Sequence, residues 1–331
     1  MSVLPSFLSS QPPSVGLEIA SDRVTAVSVG RQASTHTVAG YAVQPLPAGA
    51  VTPSLNAVNI HNEAGVAATI RSALDHLGTR QRRVALVIPD TAAKVSLLKF
   101  EKVPALSDLD QLIRWQVRKA APFKPEEAEI SWVPAAELPD GGREFLVTLA
   151  RHDIIESYQR VCTAAGAHAG IVDLASLNLI NAVLAGAGAA GDASTNPTSP
   201  RATAKGDWLV VHVSPDYATL AIVRGRDLLF FRTRQLDSGA DLTDLVHQTS
   251  MYHEDRLEGG RFARVVLSGA AARTDDGGER ARRALEERLG VRVEPLDFRS
   301  AAAMTDRIGT NPELLDALAP AVGAILRERV A

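Results

Sequence analysis

Two polar side chains stand beside the turns of predicted β-hairpins, where their chemistry could serve a binding site. The first hairpin runs from Val15 to Val29 and the second from Leu209 to Val223, each with two apolar strands around a turn that contains Asp. Because side chains alternate along a strand, Glu18 and His212 project away from their apolar neighbours. A carboxylate can hold a metal ion, and an imidazole can act as a general base near neutral pH. The alternative to metal binding is that Glu18 is an exposed strand residue, and the alternative to general-base chemistry is that His212 is a hydrogen-bonded structural residue.

Other groups that could do chemistry lack the required spacing. The run Tyr252-His-Glu-Asp255 holds metal-binding side chains, but consecutive helix positions diverge around the axis, so we interpret it as surface. The glycine pairs that begin at Gly259 and Gly277 do not have the spacing of a dinucleotide or phosphate loop. Cys162 is the only cysteine, and its apolar helical surroundings predict core packing. The sequence therefore predicts no catalytic residue and no metal site.

The elements that follow each hairpin correspond to one another, which predicts a duplicated α/β lobe. After the first hairpin come a strand at 35–44, a helix at 62–77 and a buried strand at 84–88. After the second come a strand at 227–233, a helix at 241–256, a buried strand at 265–267, a helix at 279–289 and a strand at 291–294.

The pattern changes between residues 92 and 171 to strand, helix, two strands and helix, which predicts an α+β subdomain inserted into the first lobe. A stretch rich in Ala, Gly, Ser, Thr and Pro follows and is typical of a flexible linker. The predicted organisation is a flexible N-terminus at 1–14, a first lobe at 15–91 and 172–188, the insert at 92–171, the linker at 189–206 and a second lobe at 207–331.

Charge and hydropathy exclude several classes of function. The 331 residues carry a formal charge of −3, which gives no general attraction for nucleic acid. No apolar run approaches the roughly 20 residues that a membrane-spanning helix needs, and the N-terminus lacks the basic region of a signal peptide. These features predict a cytoplasmic protein that has no nucleic-acid partner and does not span a membrane.

Five segments are distinctive in their order and spacing: the hairpin Gly16–Val24, the helix and Ala-Pro-Phe-Lys-Pro run within Val103–Pro125, the segment Asp173–Leu177 of a helix that returns to the first lobe, the strands within Thr219–Arg232 and the closing Leu318–Ala324. Together they resemble the PilM family of type IV pilus assembly proteins, which is related to the cell-division protein FtsA. The resemblance implies duplicated actin-like (ribonuclease H-like) lobes of the α/β class around a nucleotide cleft, with the α+β subdomain inserted into the first lobe.

The resemblance also implies a partner and a location. Members of the family lie at the cytoplasmic side of the inner membrane and bind the N-terminal tail of the bitopic protein PilN in a groove beside the inserted subdomain. Pro122 and Phe123 would belong to this groove. Self-association is left open.

The nucleotide cleft departs from the family pattern at several positions. The residues that would contact nucleotide there are Glu18, Ser21, Asp22, His212, Ser214, Thr219, Gly239 and Gly269. Glu18 replaces one Asp and His212 the other, and Pro215 removes a backbone donor. Losing a carboxylate that holds the metal costs several kcal/mol of transition-state stabilisation. We therefore predict a pseudo-ATPase that does not hydrolyse ATP, while binding of ATP with Mg²⁺ stays open.

Other functions are compatible with parts of the same pattern. An actin-like protein that binds and hydrolyses ATP would tolerate the altered residues. A small-molecule kinase of the same fold would need a catalytic Asp beside a substrate subdomain, and none is evident. A secretion-system relative would usually continue into a membrane span.

Two apolar features are predicted to pack in cores. The apolar stripe of the helix at 312–330 predicts a core helix of the second lobe, because its polar face mixes acidic with basic residues, unlike a membrane anchor. Trp115 is predicted to lie in the core of the insert.

Overall fold

A computed structural model describes residues 13–32, 35–118, 121–193, 206–236, 241–271, 278–305, 309 and 311–327. Over these residues the chain forms two large β-sheets and a small one, with helices packed on their faces. None of the helices in these ranges is both long and apolar enough to cross a lipid bilayer.

The first sheet has six strands in the order β14–β3–β2–β1–β4–β8. They are β1 (Val15–Ile19), β2 (Arg23–Gln32), β3 (Thr35–Pro45), β4 (Arg83–Ile88), β8 (His168–Leu174) and β14 (Ala302–Met304). Strands β1, β2 and β3 are antiparallel, whereas β4 and β8 run parallel to β1. Strand β1 is buried along its whole length, as expected for a central strand with helices on both faces.

The second sheet repeats this order with five strands, β11–β10–β9–β12–β13. They are β9 (Asp207–Val213), β10 (Tyr217–Arg224), β11 (Asp227–Gln235), β12 (Arg264–Ser268) and β13 (Val293–Pro295). The first three are antiparallel, and β12 and β13 continue parallel to β9. Helices α5 (Leu242–Arg256) and α6 (Glu279–Leu289) complete this lobe. The duplication predicted from the sequence is confirmed.

Helices cover both faces of the first sheet. Helices α1 (Glu63–His76) and α3 (His152–Ala164) pack on one face, and α4 (Ala175–Ala193) and α7 (Pro312–Leu326) pack on the other. Helix α1 begins where the Asn62 side chain accepts a hydrogen bond from Gly65 N at 2.9 Å. Asn at this position satisfies one of the free N–H groups of the first turn.

The small sheet belongs to the insert and has the order β5–β7–β6. Its strands are β5 (Ala93–Phe100), β6 (Ala128–Glu137) and β7 (Arg143–Arg151), and helix α2 (Leu106–Arg118) packs on it. Phe145 contacts Phe100 and Trp132 edge to face, with 5.6 Å between ring centroids in both pairs. The insert therefore has a core of its own.

The helix predicted at 153–165 was assigned to the insert, but it packs on the first sheet instead. Ile154, Tyr158 and Cys162 of α3 are buried in the core beneath the first sheet, and β8 pairs with β4. Cys162 packs in a core, as predicted. The apolar periodicity of α3 was read correctly, but periodicity does not say which sheet a helix covers.

The C-terminal segment also differs from its interpretation as part of the second lobe. Strand β14 pairs with β3 of the first sheet, and α7 packs against β1, β2 and α4. Helix α7 can approach β1 and α4 closely because Gly16 of β1 and Gly323 of α7 have no side chains. A Cβ atom at Gly323 would lie 1.8 Å from Asn178 O, and one at Gly16 would lie 2.1 Å from Ala321 O.

Several local expectations are corrected as well. Residues 189–193 of the predicted linker are the last residues of α4, and Ser14 O accepts a hydrogen bond from Val29 N, so 13–14 are held against β2. Trp115 is 54% exposed and is not part of the insert core. His253, interpreted as surface, is buried and lies 2.5 Å from a carboxylate oxygen of Asp207.

Candidate functional site

The turns of the two large hairpins face each other across a cavity of about 400 Å³. The first hairpin contributes Asp22 and Arg23 to its wall, and the second contributes residues 212–215. Gly269, which follows β12, Val43 of β3, and Asp316 and Ala317 of α7 complete the lining. The two hairpins therefore share a crevice, which we call the cleft.

A buried carboxylate, Asp90, connects the two lobes behind the cleft. It lies in a short 3₁₀ turn after β4. Its Oδ1 accepts from Ser176 N at 2.9 Å, and its Oδ2 accepts from Thr219 Oγ1 at 2.7 Å and from the Ser176 hydroxyl. The Asp90 backbone N–H donates to the Tyr217 hydroxyl at 3.2 Å. Asp90 and Ser176 belong to the first lobe and Thr219 and Tyr217 to the second, so the bonds of Asp90 with Thr219 and Tyr217 cross the interface.

His212 belongs to the same network. Its Nδ1 lies 2.8 Å from Ser176 Oγ and 3.9 Å from Asp90 Oδ2. Because the single proton of the Ser176 hydroxyl is donated to Asp90, the Ser176 oxygen accepts from His212, which places the proton of a neutral imidazole on Nδ1. His212 is 5% exposed and hydrogen-bonded, in accord with its structural interpretation.

Glu18 faces an arginine within its own hairpin. The Glu18 carboxylate is buried, which rules out an exposed strand position, and its Oε2 lies 3.6 Å from Arg23 Nη2. Arg23 Nη1 in turn donates to Asp22 Oδ1 at 3.2 Å. Burial raises the pKa of Glu18 above its ordinary value, and the positive charge of Arg23 opposes that rise. The guanidinium thus lies between two carboxylates at the edge of the cleft.

Asp316 closes the opposite side of the cleft. Its Oδ1 accepts from the Ser268 hydroxyl at 2.9 Å. Burial raises the pKa of Asp316, and hydrogen bonds from Ser268 and from the backbone N–H groups of Gly269 and Ala271 oppose the rise. Since these donors belong to the end of β12 and the loop that follows it, Asp316 joins the last helix to the second lobe.

A second cavity, of about 850 Å³, lies between the insert and the first lobe, and we call it the groove. One wall is formed by β6 and β7 of the insert, and the other by α3, β8 and α4. The turn between β10 and β11 reaches its rim with Arg226, Asp227 and Leu228. Its apolar lining includes Trp132, Leu146, Leu174, Leu177, Ile180 and Leu184.

A sequence profile for the family described as "Type IV pilus assembly protein PilM" matches residues 16–264, which is more than half of the chain. This chain belongs to the PilM family. Family membership assigns it to type IV pilus assembly. No curated protein matches the sequence of this PilM-family chain.

Solved structures share the fold. One described as "PilM-PilN type IV pilus biogenesis complex" superposes with a TM-score of 0.75 at 19% identity and covers 95% of this chain and 96% of that chain. A Bacteroides thetaiotaomicron protein with an actin-like ATPase fold and unknown function gives 0.47 at 9% identity, covering 92% and 94%. The ethanolamine utilization protein EutJ from Carboxydothermus hydrogenoformans gives 0.44 at 11%, covering 96% and 90%. The last two similarities are too low to support an argument. The predicted actin-like fold is confirmed.

Most of the predicted cleft residues of this PilM-family protein do come together. Glu18, Asp22, His212, Ser214 and Gly269 lie in or beside the cleft, and Thr219 lies behind it in the Asp90 network. The Ser21 hydroxyl is buried and has no hydrogen-bond partner among the described residues. Gly239 lies outside the described residues. Pro122 and Phe123 do not line the groove.

Several residues of the site were missed by sequence reasoning. Asp90, Ser176 and Asp316 come from elements that are far apart in the sequence, and no local pattern marks them. Arg23 could have been found, because the hairpin register pairs Ile19 with Val24 and so brings Arg23 close to Glu18.

The residues present do not fit the Mg²⁺ ion that accompanies nucleotide in the actin-like fold. The guanidinium of Arg23 already lies beside Glu18. The second hairpin offers His212, whose Nδ1 is committed to Ser176. Within the described ranges, no cluster of three or more His, Cys, Asp or Glu side chains could hold a metal ion. We derive no metal-dependent step for this cleft.

Proposed function

We propose that this protein is a non-hydrolysing adaptor that works at the cytoplasmic face of the inner membrane in type IV pilus assembly. In this proposal it binds the N-terminal tail of a PilN-like membrane protein in the groove. The observation that carries the proposal is the groove itself, a partly apolar cavity of about 850 Å³ between insert and first lobe. The description of the most similar of the structures compared above, a PilM–PilN complex, supports the type of partner.

The shape and lining of the groove favour an extended peptide. Strand β6 is an edge strand of the insert sheet, and its residues 131–135 line the groove. In an extended peptide, alternate side chains point to the same side. Such a segment would place every second side chain on the apolar surface formed by α4 and β7, and could pair its backbone with an exposed strand edge.

The charged rim would orient the peptide. Asp173 and Arg327 lie at one part of the rim, where Arg327 Nη1 donates to Asp173 Oδ2 at 3.4 Å. Arg226 and Asp227 lie at another. Because charges at the edge of an interface contribute more to orientation and association rate than to affinity, the apolar floor would supply most of the binding free energy.

The residues of the cleft support the proposal that the protein does not hydrolyse ATP. The position of the second metal-binding carboxylate is occupied by His212, and Pro215 in the second turn has no N–H to donate to phosphate. Neither residue supplies the preorganised charge that phosphoryl transfer requires.

The proposal is tested by titrating a fluorescent synthetic peptide that corresponds to a PilN-like tail, with and without ATP and Mg²⁺. We expect saturable binding with the same affinity in both conditions and no release of phosphate. An absence of binding in both conditions would contradict the adaptor function. Phosphate release above the background of the buffer would contradict the pseudo-ATPase part alone.

The groove makes a prediction about Leu184. This half-buried residue lies on the groove face of α4 together with Leu177 and Asn181. We expect Leu184→Glu to weaken peptide binding at least tenfold, about 1.4 kcal/mol, because it places a charge on an apolar contact surface. Fluorescence polarisation measures the change.

A matched control is Met251→Glu, which introduces the same charge on α5 at a position that is 50% exposed and outside the groove. It should leave affinity unchanged. Equal weakening by both substitutions would show that the effect is not specific to the groove.

A further inference from the structure

The environment of Arg23 resembles that of a bound cation. Its two terminal nitrogens contact different carboxylates, Nη2 at 3.6 Å from Glu18 Oε2 and Nη1 at 3.2 Å from Asp22 Oδ1. Both carboxylates belong to the first hairpin, which is the hairpin that faces the cleft. A positive charge thus lies between two negative charges, which is the arrangement that a divalent ion adopts with paired carboxylates.

The contact with Glu18 depends on charge more than on hydrogen bonding. Glu18 Oε2 and Arg23 Nε are both buried and have no hydrogen-bond partner among the described residues. The Glu18 side chain is 4% exposed and the Arg23 side chain 18%. Screening by water is weak at such a position, and removal of one charge leaves the other buried and uncompensated.

We propose that Arg23 takes the place of a divalent cation at the edge of the cleft, so that the charges of the first hairpin are balanced without metal. This inference extends the proposed non-hydrolysing function, on which it rests, and names the residue responsible. The residues that the second hairpin places on the cleft wall, 212–215, include no carboxylate. Asp90 of the first lobe already accepts hydrogen bonds from Ser176 and Thr219.

Removal of the Arg23 side chain should allow a metal ion to bind in its place. When Arg23 is replaced by alanine, Glu18 and Asp22 remain as two carboxylates, which together with water can bind Mg²⁺ or Ca²⁺. The other charged or titratable groups near Glu18 and Arg23 are His212, Asp90, Tyr217 and Asp316. All proteins are compared at the same pH.

The test is thermal unfolding of four proteins with EDTA or with about 10 mM MgCl₂ or CaCl₂ alone, without nucleotide. The proteins are the unsubstituted chain, Arg23→Lys, Arg23→Ala and the double variant Glu18→Gln/Arg23→Ala. We expect Arg23→Ala to lower Tm by at least about 4 °C and metal to restore about 3 °C of this loss. Metal should change the Tm of the other three proteins, namely the unsubstituted chain, Arg23→Lys and the double variant, by less than about 1 °C.

Three outcomes would overturn the proposal. In the first, metal does not raise the Tm of Arg23→Ala. In the second and third, metal raises the Tm of the unsubstituted chain or of the double variant as much as it raises the Tm of Arg23→Ala. If Arg23→Ala does not fold in EDTA, refolding with MgCl₂ or CaCl₂ takes the place of the Tm comparison. The proposal is then overturned if Arg23→Ala does not fold in the presence of metal although the double variant does.

The peptide titration distinguishes this inference from the proposed function. Metal rescue of Arg23→Ala depends only on the first hairpin, whereas tail binding depends on the groove. Tail binding without metal rescue would leave the adaptor function intact and refute the role of Arg23. Metal rescue without tail binding would support the role of Arg23 and refute the adaptor function.

Discussion

Gly323→Ala is expected to destabilise the protein by about 2 kcal/mol or more, although alanine is the better helix former. In an exposed helix the same substitution would stabilise by about 1 kcal/mol. Here the added Cβ atom would lie 1.8 Å from the backbone oxygen of Asn178. A backbone atom in α4 cannot rotate away as a side chain can, so α7 must move off α4 and β1. The free energy of unfolding from urea titration measures the change.

Gly260→Ala is the matched control, because a Cβ atom there meets nothing within 4 Å. It should change the free energy of unfolding by less than about 0.5 kcal/mol. If Gly323→Ala proved neutral or stabilising, the close packing of α7 on α4 would be wrong.

Asp90→Ala is expected to cost about 3 kcal/mol or more of unfolding free energy. The substitution leaves three donors without their acceptor, namely Ser176 N, the Ser176 hydroxyl and the Thr219 hydroxyl. These groups are buried between the lobes, where water cannot readily replace the lost carboxylate. The measurement is again urea unfolding, followed by both circular dichroism and tryptophan fluorescence.

The control for this variant is Asp75→Ala. Asp75 is 61% exposed and pairs with Arg82 at 3.6 Å, so its removal should cost less than about 1 kcal/mol. A similar cost for both variants would mean that the Asp90 network contributes no more than a surface ion pair.

Strand alternation and helical periodicity were sufficient to predict the repeated part of the fold. The two hairpins have the strands expected from their apolar patterns, and α1 was predicted to within one residue at each end. Such patterns depend on which face of an element is buried, and this information is local. The insert was likewise evident, because its strand and helix order interrupts the repeat.

Long-range packing was less predictable. The apolar stripe of α7 was recognised, but nothing in it indicates that it covers β1 and β2. The same limit applies to α3, whose Tyr158 packs beneath the first sheet. In the site, His212 was identified, whereas its partner Ser176 was not, because their contact depends on how the two lobes meet. Pro122 and Phe123 were assigned to a partner groove by resemblance; they do not line the cavity between insert and first lobe, and their role in partner binding stays a prediction.

The position of α7 has a consequence for biosynthesis. Strand β1 precedes α7 in the chain, so the face of the first sheet that α7 covers stays open until α7 has been synthesised. Helix α4, which forms one wall of the groove, packs against α7, so this wall is fully supported only when α7 is in place. Domains otherwise tend to fold in the order in which they are synthesised. A partner that binds the groove would therefore distinguish chains in which α7 has docked from chains in which it has not.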